Sequence, residues 1–208
     1  VRPEVPLFAQ IGRLVDQKGW DLLAHVADGF LDRDVQLVVL GTGDPRYHDL
    51  LKALQERRPD KVWAYLGFSD ELAHQIEAGA DVFLMPSLFE PCGLNQLYSL
   101  AHGTVPVVHA TGGLVDTVVD LTPRTLAEGR ATGFAFREPT PAALWYTLER
   151  VLETWRERET WGRLVRAGMS DDWSWHHSAG PYVDLYREVQ RRRRPRSAQS
   201  LTTRPTGT

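Results

Sequence analysis

Cysteine is almost absent: Cys92 stands alone among 208 residues. A lone thiol excludes an internal disulfide and a zinc site built from several cysteines, and it suits a reducing compartment, so the expected location is the cytoplasm. Lysine is scarce as well. Only three of the 24 basic side chains are lysines, Lys18, Lys52 and Lys61, so a lysine is mildly informative where it occurs. No apolar run approaches the roughly 18 residues of a membrane span, and residues 1–6 do not read as a secretory leader, so none is expected. No membrane partner is expected. The formal net charge is only -3, but it is uneven. Arg191 to Arg194 and Arg196 gather in a tail rich in Ser, Thr and Pro. Without that tail the chain is acidic, which argues against a nucleic-acid partner for the folded part. The tail, 191–208, reads as a solvated, disordered end.

What is present is the composition of a soluble globular protein, 42% hydrophobic and 25% charged, long enough for one sizeable core. Residues 1–6, with Pro3 and Pro6, read as a linker, and the folded domain is expected over 7–190. Short apolar runs at Leu7–Ile11, Val35–Leu40, Val62–Leu66, Ala80–Met85, Val105–Val108 and Gly133–Phe136 read as about six buried strands. Stretches with helical spacing lie between them: Leu22 to Phe30, Pro45 to Leu54 with Asp44 as cap, Asp70 to Ala78, Leu94 to Ala101, and one starting near Gly113. Three more helices follow, about Pro141–Thr154, Arg158–Gly168 and Trp175–Val189. Alternating strands and helices, with strands that are continuously apolar, predict an α/β fold: a Rossmann-like parallel sheet with helices on both faces.

Such a sheet binds ligands at the carboxyl ends of its strands, and that rim sorts the candidates. After the first strand come Gly12, Arg13 and Gln17-Lys18-Gly19; after the second, Gly41-Thr42-Gly43-Asp44; after the third, Gly67 and Phe68; after the fifth, Thr111-Gly112-Gly113-Leu114. After the fourth comes Glu90-Pro91-Cys92-Gly93-Leu94-Asn95-Gln96, between a strand end and a helix start, where unpaired N–H groups and the helix dipole suit an anion. The plainer reading of this loop is that Glu90 only favours a helix start and Cys92 is a small buried hydrophobe. Arg13 with Lys18 could face one diphosphate, and glycines such as Gly12, Gly41, Gly43, Gly112 and Gly113 permit close backbone approach; as a structural pair the two cations would be surface charges.

Other motifs fail the same test. Asp32-Arg33-Asp34 precedes the second strand, at the opposite rim. Gly41-Thr42-Gly43 lacks the third glycine of a dinucleotide fingerprint, since position 46 is Arg46, so NAD and FAD are disfavoured. His176 and His177 are adjacent on a helix and do not face one point. Cys92 has no sequence-local base to make it a nucleophile.

Gly12-Arg13-Leu14 with Gln17-Lys18-Gly19, then Gly41-Thr42-Gly43-Asp44, Glu90-Pro91-Cys92-Gly93-Leu94-Asn95-Gln96 and Thr111-Gly112-Gly113-Leu114 resemble the C-terminal half of bacterial glycogen synthases and plant starch synthases. Ala80-Asp81 and Trp173-Ser174-Trp175 match as well, so the resemblance runs from about Leu7 to Val189. It implies the GT-B arrangement, two Rossmann-like domains facing across a cleft, of which this is the second. It implies transfer of glucose from ADP-glucose to the non-reducing end of an α-1,4-glucan with retention of configuration, without metal or other cofactor. Arg13 and Lys18 would hold the diphosphate, and Glu90 the donor glucose. Cys92, Gly93 and Leu94 would line the sugar and phosphate pocket. Thr111 and Gly113 would touch the phosphates from the other side, Phe68 would border the base, and Tyr98 would lie near the ribose.

Two departures stand out. His109 occupies a position where the resemblance leads one to expect Arg. The chain also begins just before the first strand of the second domain, so the first domain, with its Lys-Thr-Gly-Gly-Leu loop, glucan-binding surface and catalytic histidine, is expected to be missing. The expected partners are ADP-glucose or ADP here, and the glucan through the missing domain; the isolated chain is expected to be inactive. The last helix would cross back to that domain, leaving Trp173, Trp175 and Tyr182 partly exposed. Two rival readings stay open: a retaining glycosyltransferase of the same fold using UDP-glucose or another donor, and a non-catalytic module that binds a nucleotide or a partner chain.

Overall fold

The structure is a computed structural model and describes residues 2–193. The apolar runs become β1 (Leu7–Ile11), β2 (Gln36–Gly41), β3 (Val62–Leu66), β4 (Val82–Met85), β5 (Val105–His109) and β6 (Phe134–Phe136). Every pairing is parallel, and the order across the sheet is β3-β2-β1-β4-β5-β6. Parallel neighbours need long crossovers. These carry α1 (Trp20–Leu31), α2 (Pro45–Arg57), α3 (Asp70–Gly79), α4 (Asn95–His102), α5 (Gly113–Thr117) and α6 (Pro123–Ala127), and α7 (Pro141–Arg156) and α8 (Arg158–Ser170) follow.

Strand side chains alternate between faces, and here both faces are apolar. Phe8, Leu37, Val39, Val82, Leu84, Val105 and Val107 point to one layer, where α1, α2, α7 and α8 contribute Phe30, Leu51, Leu148 and Leu164. Ala9, Leu40, Phe83, Met85 and Val108 point to the other, covered by Ile76 of α3 and Leu114 of α5. This double burial is why the strands read as unbroken apolar runs. In the larger layer Phe8 and Phe30 meet edge to face at 4.8 Å.

Local chemistry sets the helix ends. Ser69 caps α3 by accepting from Leu72 N–H, with Asp70 and Glu71 in the first turn. Gly103 ends α4 in the left-handed conformation. Asp44 sits at the N-cap of α2, as expected, but its side chain makes no capping bond; its carboxylate lies 3.7 Å from Arg46. Helix α6 was not legible, because five residues hold too little periodicity; a capping box between Thr122 and Thr125 starts it.

Residues up to Asp171 form one compact unit, and the described residues from Asp172 onward form a second. The second is a single helix, α9 (Trp175–Arg193). Its own ion pairs run along it, Asp184 with Arg187 at 3.3 Å and Glu188 with Arg191 at 2.6 Å. Arg191 to Arg193, expected in the tail, are its last turn; Arg194, Arg196 and the remainder of the tail lie outside the described residues. The segment before β1 is held to β2, where the Gln36 side chain bonds Arg2 and Val5.

Candidate functional site

With this strand order the sheet progresses outward in both directions from β1 and β4, so the loops after these two strands diverge and leave a crevice at their carboxyl ends. Two adjoining cavities of about 300 and 330 Å³ open there, and both are lined by Ile11, Gly12 and Asn95.

Lys18 closes a 3₁₀ turn, Asp16–Lys18, after β1. The turn ends at Gly19, whose φ of +74° favours glycine and where a β-carbon would run into the Pro86 carbonyl. Glycine thus lets the loop after β1 lie directly on the loop after β4. Leu88 N–H donates to Gln17 O at 2.9 Å, and the Gln17 amide donates to Phe89 O. The outcome is an ion pair between residues 72 positions apart: Lys18 Nζ donates to Glu90 Oε2 at 2.5 Å. Ser87 Oγ donates to the same oxygen at 3.2 Å. Both side chains are largely withdrawn from water, so the carboxylate is held in place. The other end of the turn is anchored to α2. Asp16 accepts from Arg46 and from the Tyr47 hydroxyl. Those bonds, Arg46 first, hold the Asp16 carboxyl below its usual range. Burial, then the bond to Asp16, pushes the Tyr47 phenol above its own.

The loop after β5 braces the Glu90 loop from behind. A β-carbon at Gly112 or Gly113 would collide with the backbone at Glu90 or Cys92, and Gly113 N–H donates to Glu90 O at 3.0 Å. His109 is buried and ties two loops together: Nδ1 lies 2.7 Å from Ser87 O and Nε2 3.0 Å from Arg137 O. One ring nitrogen faces each loop, so the residue that departs from the resemblance serves here as a brace.

The expected site residues divide into three sets. Gly12, Lys18, Glu90, Gly93 and Leu94 line the first cavity. Gly12, Arg13, Gly41, Phe68 and Tyr98 line the second. Lys18 thus lines the first cavity and Arg13 the second, and Gly12 lines both; Arg13 reaches Gln17 at 3.5 Å. Cys92, Gly43, Thr111, Gly112 and Gly113 line neither cavity. Cys92 is exposed, not a buried hydrophobe. A β-carbon at Gly43 would meet the backbone of Leu14, so this glycine serves the packing of one loop on another.

Several cavity residues were not singled out as site residues from the sequence, four of them polar groups at telling positions. Asn95 opens α4 and donates to Ile11 O at 3.2 Å, joining the two loops at the point both cavities share. Ser87 supports Glu90. His74 and Glu77 of α3 line the second cavity. Asn95 stood inside the quoted loop, and His74 and Glu77 share a helix face at i and i+3, but nothing in the pattern aimed that face at the crevice. Among the described residues no group of three His, Cys, Asp or Glu side chains could hold a metal ion, and no helix is long and apolar enough to cross a membrane.

Comparison with known proteins agrees with this geometry. The family described as "Glycosyl transferases group 1" matches residues 2–167. Glycogen synthase of Dechloromonas aromatica (strain RCB) is 52% identical over 189 residues, 91% of this chain and 39% of that protein. Glycogen synthase of Anaeromyxobacter sp. (strain K) is 53% identical over 189 residues, with the same shares covered. The catalytic domain of starch synthase IV from Arabidopsis thaliana, solved bound to ADP and acarbose, superimposes with a TM-score of 0.82 and 35% identity over 90% of this chain and 39% of that one. The chain thus spans about two fifths of the length of the curated relatives it matches.

Proposed function

This chain belongs to the group 1 glycosyl transferases, and on that premise we propose that it is the donor-binding half of a retaining glucosyltransferase of the glycogen and starch synthase type. The donor is ADP-glucose and the acceptor is the non-reducing end of an α-1,4-glucan. The observation that carries this reading is the Lys18–Glu90 pair, built from the loops after β1 and β4 at the mouth of the crevice. Glycogen synthases about half identical to this chain, and a starch synthase solved with ADP, support the choice of donor and acceptor.

The roles follow from charge. When the bond between the glucose C1 and the diphosphate breaks, negative charge grows on the diphosphate and positive charge on C1. Lys18 and Arg13, which line the two adjoining cavities, take the former, aided by the N-terminus of α4. Glu90 bonds the glucose hydroxyls and faces the latter. Lys18 is already fixed by Glu90, so little reorganisation is left for the moment of reaction. Gly93, Leu94 and the adjacent Cys92 enclose the sugar; Thr111, Gly112 and Gly113 hold that wall in place. In the second cavity Phe68 borders the base and Tyr98 the ribose. The glucan is bound through a part of the enzyme outside this chain, so the chain alone binds the nucleotide and transfers little glucose.

Thermal unfolding with and without ADP tests the reading. At 100 times the dissociation constant, ligand binding stabilises by about 2.7 kcal/mol, a rise of roughly 5–10 °C in the midpoint for a domain of this size. The rise is expected for the wild-type chain and should be lost in Lys18→Ala. An equal rise in both proteins would remove Lys18 from the diphosphate site.

A further inference from the structure

The second cavity holds a group of side chains with no part in the roles above. Glu77 is only 3% exposed, yet its Oε2 has no well-aligned hydrogen-bond partner. Its main chain is fixed, with Thr104 Oγ1 donating to Glu77 O at 2.6 Å. A buried carboxylate left this way is costly and calls for a reason. His74 Nδ1 lies 3.3 Å away. The His74 side chain is about half exposed and lines the cavity, its ring and that of Tyr98 meeting edge to face at 6.0 Å between centroids. On its far side, His74 Nε2 lies 3.9 Å from Asp70 Oδ1, too far for a hydrogen bond between them.

We propose that His74 and Asp70 hold the ribose hydroxyls of the bound nucleoside diphosphate, and that Glu77 is the positioning residue behind His74. This rests on the donor-binding role given to the crevice. A vicinal diol offers two hydroxyls, each able to donate and to accept. Beside an imidazole nitrogen and a carboxylate oxygen 3.9 Å apart, one hydroxyl meets Nε2 and its neighbour donates to Asp70. A base would use the flat face of Phe68, which is 85% exposed on the same cavity and has no polar atom to offer a sugar. Arg13, which lines the same cavity, is left for the phosphates. The Glu77 carboxylate faces Nδ1 at 3.3 Å, so it favours the proton on that nitrogen and leaves Nε2 for the ligand. Burial pushes the Glu77 carboxyl up, with the neighbouring His74 opposing it.

The test is calorimetric titration of the chain with ADP and with its dideoxy analogue, which lacks both ribose hydroxyls. The wild-type chain should bind ADP about tenfold more tightly than the analogue. His74→Ala should lose about fivefold to tenfold for ADP and nothing for the analogue, and Asp70→Asn should behave alike. Glu77→Gln should lose about twofold to threefold, again for ADP alone; a merely structural role would lower both affinities together. Both first-named side chains are solvent-accessible, so these variants fold, and an unchanged unfolding midpoint confirms it. Equal losses for the two ligands, or no loss, would overturn the ribose assignment while the donor site stood. No binding of ADP by the wild-type chain would overturn the donor site and this assignment with it.

Discussion

Lys18 and Glu90 are more exposed to test than any other pair, because one contact carries both stability and function. Removing Lys18 leaves Glu90 with only Ser87 beside it, in a site where the carboxylate is largely withdrawn from water. Lys18→Met should cost on the order of 2 kcal/mol in urea unfolding, and Lys18→Met with Glu90→Gln should cost less than the two single changes added. ADP binding should not return in the double variant, which separates the stability of the pair from its role toward the phosphates. Glu77 gives a pH test. Its carboxyl is raised in the folded state, chiefly by burial. The folded protein therefore binds that proton more tightly than the unfolded chain does, so the group favours folding at low pH and its contribution is lost as pH rises through the raised value. Glu77→Gln should unfold at a higher temperature than wild type at pH 8, with the gap narrowing toward pH 4; a gap that widens on acidification would reverse the sign. At this scale the sequence was partly readable. Lys18 and Glu90 each stood in a loop that follows a strand, and their types suggested a charged ligand. Their contact across 72 positions was not readable, because it depends on which strands lie side by side. His74 and Glu77 were hidden for the same reason.

The elements differ in what a glycine does in each. Gly19 has a positive φ, and a β-carbon there would strike the Pro86 carbonyl. Gly19→Ala should destabilise by about 2 kcal/mol or more and also weaken ADP binding, since the turn carrying Lys18 would lift from the Glu90 loop. Gly79, the last residue of α3, has ordinary backbone angles and open space around it. Gly79→Ala should therefore stabilise by about 0.5 kcal/mol and leave ADP binding unchanged. Unfolding midpoints of the two variants, measured side by side, check the contrast; similar losses would mean that the loop contact at Pro86 is not what Gly19 provides. The strands were legible almost to the residue, as at Leu7–Ile11 and Val62–Leu66, because each apolar run is bounded by a turn residue. The 3₁₀ turn at Asp16–Lys18 was not, since three polar residues in a loop carry no periodic signal.

For the whole molecule, alternating strands and helices predicted parallel pairing but not the order β3-β2-β1-β4-β5-β6. That order is what brings the loops after β1 and β4 into one crevice, so the site's location followed from topology rather than from any motif. The first unit is also self-sufficient in its core. Its buried apolar side chains run from Val5 to Leu164, and with the partly buried Val165 both clusters end within the first unit. Every residue given a role toward the donor lies within the same bounds. A chain ended after Asp171 should therefore unfold cooperatively, with a midpoint within about 5 °C of the full chain, since 1 kcal/mol shifts a domain of this size by roughly 2–4 °C. It should also keep the rise produced by ADP. A midpoint lower by tens of degrees would show that α9 is needed for the fold of the first unit, and loss of the ADP effect in a well-folded truncated chain would show that α9 takes part in nucleotide binding.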